Sequence, residues 1–471
     1  MLGDTYAEKT TLYTVMTTSF MTTFMGSSIN LALPAMGLEF GSSAILASWA
    51  ITSYILASAI FLLPFGRLAD MHGRRRFYRL GTILYTLFTL ATAMADSMQM
   101  IIVFRLLQGL SSAMIFSTGM AILSSVYPPH KRGRALGYSV AVTYLGLTIG
   151  PVLGGMMNHY LGWRSIFYLT TLLGLGAVTA IQFWLRGEWA GARGEKFDAA
   201  GSSLYMVGLL AFLYGLSSIS DSQWSPYLVL LGVILLVGFA AWELHIDHPI
   251  LQVRLFKHNT GFAFSNLAAM INYSATYAVT FLLSVYLQVV RGYDSQAAGL
   301  ILLAQPLVMT ILSPLAGTLS DRLEPRLVAS LGMGCSTLSL FFFIFIGSAT
   351  APSLLVINLL LAGLGFALFA SPNNNAIMGS VPMRLYGIAS STLGTMRLVG
   401  QAISMSIVTL LITLFIGRAP LTAANPATFL ACMKVSFAVF TIICILGVLA
   451  SLKRGSLHQY NLTDQDQGKI E

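Results

Sequence analysis

Apolar residues run in long, uninterrupted stretches along almost the whole chain, and polar residues gather in the short connections between them. The stretches are 11–34, 47–69, 78–95, 98–125, 134–157, 164–185, 199–219, 225–243, 261–290, 297–319, 327–347, 352–372, 386–416 and 429–451. A helix needs about 20 mostly apolar residues to cross roughly 30 Å of hydrocarbon, and each stretch is near that length or above it. In lipid every backbone N–H and C=O must find a partner, which leaves only helices and closed barrels. A barrel strand alternates polar and apolar positions over about ten residues, and these runs do not alternate. The pattern predicts an all-α membrane protein of about fourteen transmembrane helices.

Composition removes the soluble alternatives. Of 471 residues 56% are hydrophobic and 9% charged, with a mean hydropathy of +0.76. A water-soluble chain carries about 25% charged residues, so this one cannot cover a water-facing surface. The net charge of +9 does not point to nucleic acid, because the basic residues sit in small groups between apolar runs. If the N-terminus is inside and the spans alternate, Arg67, Arg74–Arg76, Arg79, Lys131, Arg132, Arg134, Arg186, Arg193, Lys196, Arg254, Lys257, Arg322, Arg326 and Arg384 all fall inside. Only Arg164, Arg291 and Arg418 fall in outer connections. The positive-inside rule then predicts cytoplasmic N- and C-termini and an even number of spans. Asp4, Glu8 and Lys9 make no secretory n-region, so the first run is expected to be a retained span. Compact loops suit a cytoplasmic (inner) cell membrane. Cys335, Cys432 and Cys444 lie in apolar stretches without metal or disulfide spacing. Neither a metal site nor a cofactor is expected.

Two segments look alike. Gly66 is followed by Asp70, Gly73 and Arg74, Arg75 and Arg76 after the second run, and Gly317 by Asp321, Arg322 and Arg326 after the tenth. Equivalent positions in two parts of a chain are the mark of a duplicated transporter. The first segment resembles the loop signature of the major facilitator superfamily. Arg105 with Gln108 and Gly109 resembles that family's helix-four signature, and Gly146, Gly150, Pro151, Gly154 and Gly155 resemble the helix-five signature of its exporters. Asn30 with Pro34, and Trp49 with Tyr54, fit the fourteen-helix drug:proton antiporter branch. The resemblance implies two pseudo-symmetric six-helix halves, 1–190 and 261–455, two inserted helices within 191–260, and a cytoplasmic tail at 456–471.

Each motif has a physical reading. Asp70, beside the start of the thirteenth run, is expected to latch the halves by facing a helix N-terminus, with the arginines alongside; a basic loop that only sets topology is the alternative. Small residues four apart on the fifth run let two backbones approach closely, and Pro151 bends the helix; a gate and static packing both account for them. Arg105 and Arg397 lie inside spans, where a charge costs at least about 2.5–3.5 kcal/mol, so they should face protein or a wet cavity; a part in transport or coupling with Gln108 is expected, with structural hydrogen bonding as the alternative. Asn30, Asn272, Gln305 and Gln401 are candidates to line that cavity, each with interhelical hydrogen bonding as the alternative.

The chain departs from the branch in one respect. Where the branch carries a first-helix aspartate, this sequence has Met25, and no acidic residue falls near a bilayer midplane. The expected function is secondary active export of drugs or other small amphipathic compounds by alternating access, with proton coupling left open. The alternative is export of a neutral, lipid-like or anionic metabolite. The partners are then a small molecule, the lipid bilayer and, if coupling holds, protons. The chain is expected to act as a monomer. A membrane-embedded enzyme is a remote third reading, because no catalytic constellation lies within the spans. No Gly-x-x-x-x-Gly-Lys loop suggests direct drive by ATP.

Overall fold

The computed structural model describes residues 2–218, 222–381, 386–417 and 425–454, without the side chains of 2–6, 129–134, 136, 321, 386 and 387. Every regular element among them is a helix. In chain order these are α1 (Leu2–Glu39), α2 (Ala44–His72), α3 (Arg74–Ala93), α4 (Met98–Val126), α5 (Pro129–Leu161), α6 (Arg164–Phe183), α7 (Ala199–Ser217) and α8 (Ser225–Glu243). The short α9 (Val253–His258) leads to α10 (Thr260–Thr276), then α11 (Val279–Val285), which runs on as a π turn over Tyr286–Val290. α12 (Ser295–Leu302), α13 (Ala304–Arg322), α14 (Pro325–Phe343), α15 (Pro352–Gly379), α16 (Tyr386–Phe415) and α17 (Pro426–Leu452) complete the set.

Twelve stretches among the described residues are long and apolar enough to cross a membrane. The chain is an all-α, multi-pass membrane protein. Of the fourteen runs marked in the sequence, those on α1 and α3 fall outside the twelve. Both are helical, but hydroxyls and arginines lower their hydropathy. Those hydroxyls are satisfied within their own helices: Thr14 donates to the Thr10 carbonyl at 2.7 Å, and Thr82 to that of Tyr78 at 2.8 Å. Such back-bonding lets a helix rich in threonine be buried without open hydrogen-bond groups.

Helix starts follow local chemistry. Ser43, Ser97, Asn259 and Asp294 cap α2, α4, α10 and α12 by accepting from backbone N–H groups at 2.7–3.3 Å. By packing, α1–α6 form one group and α10–α17 another, while α7 and α8 pack on each other and α7 sits against α2 and α16. Tyr205 of α7 donates to the Ala59 carbonyl of α2 at 2.8 Å, which fixes that pair. The repeat seen in the sequence has a packing counterpart. Gly66 of α2 faces Ser117 of α4, and Gly317 of α13 faces Ser371 of α15, so in each case the glycine meets a serine on the partner helix.

Candidate functional site

Proline fixes where the two groups meet. Pro34 has no N–H, so the Asn30 carbonyl four residues earlier lacks its helical donor. Ser284 of α11 supplies one across the groups, at 2.7 Å. Pro151 likewise frees the Leu147 carbonyl of α5, and Ser27 of α1 donates to it at 3.2 Å. The glycines of the fifth run serve two faces. Gly146, Gly150 and Gly154 lie against Thr23, Ser27 and Ser28 of α1, where a Cβ would come within 2.3–2.6 Å of those side chains. Gly155 points the other way. A Cβ there would lie 2.4 Å from the Ser295 carbonyl of α12, and one on Gly299 would lie 2.1 Å from the Pro151 carbonyl. α5 and α12 therefore touch backbone to backbone.

Further contacts extend this seam. Ser295 donates to the Gly155 carbonyl at 3.0 Å, Thr52 of α2 lies 3.3 Å from Thr409 of α16, and Thr148 of α5 lies 2.8 Å from Thr310 of α13. They run from the end carrying the α1–α2 turn to about the middle of α5. That same end is clamped by Glu39, which accepts from Trp163 Nε1 at 2.7 Å and pairs with Arg164 at 2.6 Å. Burial alone would raise the Glu39 carboxyl, but these two donors outweigh it and hold it below the ordinary carboxylate value.

Arg105 is 1% exposed. Its Nε donates to the Ala50 carbonyl at 3.1 Å, its guanidinium stacks 4.2 Å over the Tyr54 ring, and it hydrogen bonds Gln108, which in turn donates to Thr89. The arginine thus braces α4 against α2 and α3. Arg397 on α16 is half-buried instead, close to Tyr273 on α10 and within electrostatic range of Tyr144 on α5. Tyr144 also neighbours Ser313 of α13, and with Leu147 and Tyr273 it packs against Met309, Phe366 and Ala370. The Tyr273 and Phe366 rings meet edge to face at 5.5 Å. The buried Ser313 Oγ and both side-chain polar atoms of Asn272 make no hydrogen bond among the described residues. Buried polar atoms are normally partnered, so these mark a place with unused hydrogen-bonding capacity inside the spans.

Asn30 turns its amide onto its own helix, donating to the carbonyls of Gly26 and Ser27 at 3.2 and 3.3 Å. Gln305 and Gln401 are half-buried. Asp70 pairs with Arg74 at 2.6 Å, and Arg74 reaches Ser125 of α4 at 2.9 Å. The loop after α6 holds this turn: Arg74 N–H donates to the Trp189 carbonyl at 2.8 Å, Ala192 N–H to that of Asp70 at 3.0 Å, and Arg67 pairs with Glu195. The start of α16, the partner expected for Asp70, is described from residue 386, without the side chains of 386 and 387, and Asp70 makes no hydrogen bond or ion pair with residues 388–391. Gly73 needs its glycine, with φ +119° and a would-be Cβ 2.5 Å from Glu188. The sequence reading missed Tyr144, Tyr273 and Ser313. The available signal was the cost of placing a hydroxyl inside an apolar run, which calls for a partner.

Two helix groups that meet along a small-residue seam, with an arginine and tyrosines near one another inside the spans, define a polytopic membrane transporter. The chain belongs to the Major Facilitator Superfamily, whose description matches residues 15–405 and 265–461. It is therefore a secondary transporter and not an enzyme. It is 29% identical to the riboflavin transporter RibZ of Clostridioides difficile over 378 residues, covering 80% of this chain and 82% of that one. It is 31% identical to the multidrug resistance protein Stp of Mycobacterium tuberculosis (80% and 71% covered), and 26% to the multidrug export protein EmrB of Escherichia coli (83% and 77%). The crystal structure of the peptide transporter POT in complex with sulfate superposes with a TM-score of 0.69 over 94% of this chain and 95% of that one. At 15% identity this is a likeness of fold.

Proposed function

We propose that this transporter exports small amphipathic compounds, neutral or anionic in preference to cationic, by alternating access. The observation that carries this reading is Arg397, half-buried within the span Ile388–Phe415, close to Tyr273 and within electrostatic range of Tyr144. In the twelve candidate spans the carboxylates are Asp70 and Glu243, both in a last turn. A guanidinium with hydroxyls around it suits a carboxylate, a phosphate or a polar ring edge. A bare cation there would meet repulsion and no counter-charge. Aromatic and methionine side chains such as those of Phe366 and Met309 suit flat amphipathic cargo. The names of the relatives agree in kind, since riboflavin is an uncharged ring system and two others are multidrug proteins.

On this reading α1 and α3 also cross the membrane, giving fourteen spans divided into halves at 1–190 and 261–455, with α7 and α8 between them. The arginine-rich connections face the cytoplasm of an inner-membrane protein, and so do both termini. The small-residue seam then faces outward. Asp70 and Arg74–Arg76 act as the latch on that cytoplasmic side, the helix-five glycines pivot against α1 and α12, and Arg105 with Gln108 holds α4 rigid. The test is uptake into inverted vesicles of a panel of anionic, neutral and cationic fluorophores, riboflavin among the neutral ones, with a pH gradient imposed and then collapsed. Uptake of anionic and neutral members is expected. Uptake confined to cations would overturn the charge preference, and loss of all uptake on collapse would add proton antiport to the mechanism.

A further inference from the structure

The turn between α2 and α3 carries a second feature besides the latch proposed for it. Arg75, Arg76 and Arg79, with Gly187 and Glu188, line an open cavity of about 330 Å³. The one carboxylate present is already engaged: Glu188 Oε1 accepts from the Arg75 backbone N–H at 2.8 Å, and its Oε2 lies 3.7 Å from Arg76 Nε. Arg79 reaches Gln182 at the foot of α6 at 3.1 Å. The Arg75 Nε is buried and has no hydrogen-bond partner. Three guanidinium groups facing one carboxylate leave a surplus of positive charge with donors unused, the condition for holding a phosphate oxygen.

What lies beside the cavity says which phosphate. α3 and α6 pack side by side, with Thr86 against Gly174. From the arginines, α3 presents Leu80, Ile83 and Leu87 outward, 40–54% exposed at helical spacing. α6 runs down to the same place with Leu175 and Phe183, 53% and 70% exposed, and ends at Trp184. An exposed apolar stripe on a membrane protein faces acyl chains, and tryptophan favours the headgroup level. A soluble phosphate has no use for such a stripe.

We infer that Arg75, Arg76 and Arg79 form a headgroup site for an anionic phospholipid of the leaflet at this end, with its acyl chains along α3 and α6. Basic pockets at the ends of membrane helices are suited to such headgroups. The site abuts the loop that holds Asp70 and Arg74, so an occupied pocket would stiffen the α2–α3 turn.

The test is native mass spectrometry of the purified full chain with phosphatidylglycerol or phosphatidylcholine of matched acyl length, with and without inorganic phosphate. Retention of phosphatidylglycerol over phosphatidylcholine is expected. Affinity should fall roughly fivefold in Arg79→Gln and further in the Arg75→Gln, Arg79→Gln pair. Arg254→Gln, which removes the same charge elsewhere, should bind as the parent does. An unchanged melting temperature without added lipid shows that each variant is folded; if the pair fails this check, Arg79→Gln alone decides. Equal binding of both lipids, full binding by folded Arg79→Gln, or displacement of phosphatidylglycerol by equimolar inorganic phosphate would each overturn the assignment.

Discussion

At the scale of single residues, the buried Arg105 and the half-buried Arg397 separate by surroundings. Arg105 spends its donors on the Ala50 carbonyl and Gln108 and lies over Tyr54, all within the first helix group. Arg397 stands close to Tyr273 of α10 and within electrostatic range of Tyr144 of α5, across the two groups. A charge-assisted hydrogen bond contributes about 1.5–3 kcal/mol. Arg397→Ala should therefore weaken binding of an anionic substrate by roughly 10- to 100-fold, while a neutral substrate loses much less. Binding isotherms of the purified variant with one substrate of each kind check this, and equal losses would make Arg397 a structural residue. The sequence brought Arg397 into view through its charge, but the tyrosines beside it stayed hidden. A tyrosine within an apolar run reads equally as packing, and only the three-dimensional neighbours show that a cation lies near it. Asn30 is the converse case. Its polarity drew attention, yet its amide closes on its own helix, because rotation about the helix axis is set by packing that the sequence does not spell out.

At the scale of elements, the helices themselves were legible, since unbroken apolar runs of membrane length leave no other solution. Their interruptions were legible only where the cause is local. The break at Leu303 has such a cause: Pro306 cannot donate to the Leu302 carbonyl, so α12 stops there and α13 begins. The break after Thr276 has none. There the Ala278 N–H donates to Ser404 of α16 at 3.1 Å, a partner 126 residues away. The glycines sort in the same manner. Spacing on the fifth run announced close packing, but not that Gly155 and Gly299 form one contact from two groups. Gly299→Ala would put a Cβ 2.1 Å from the Pro151 carbonyl, a backbone atom that cannot swing aside. Overpacking of this kind costs typically about 1–3 kcal/mol. The expected result is a lower melting temperature and slower transport, from a seam held ajar. Gly334→Ala on α14, where a Cβ meets nothing within 4 Å, should instead be neutral or slightly stabilising, because alanine favours a helix interior over glycine. If the two substitutions behave alike in melting scans, the α5–α12 contact is not tight.

At the scale of the whole molecule, the question is whether the two helix groups move as bodies across the seam. The duplicated Gly66 and Gly317 segments pack alike on their partner helices, as expected if each group is a rigid unit with its own internal contacts. Hydrogen bonds within a group, such as Ser58 of α2 with Ser112 of α4 at 2.7 Å, should then survive the whole transport cycle. Those across groups, such as Thr148 of α5 with Thr310 of α13 at 2.8 Å, should break in each turn of it. Hydroxyls this close place two thiols within reach of a disulfide. In a chain whose Cys335, Cys432 and Cys444 are replaced by alanine and which still transports, oxidising a Thr148→Cys, Thr310→Cys pair should stop transport, and reduction should restore it. Oxidising a Ser58→Cys, Ser112→Cys pair should leave transport near its starting level. Full transport by the cross-linked Thr148–Thr310 variant would mean that substrate passes without separation of α5 from α13, and rocking about this seam would have to be abandoned. Loss of transport in both cross-linked variants would mean that the first group flexes internally, and the rigid-body division would fail.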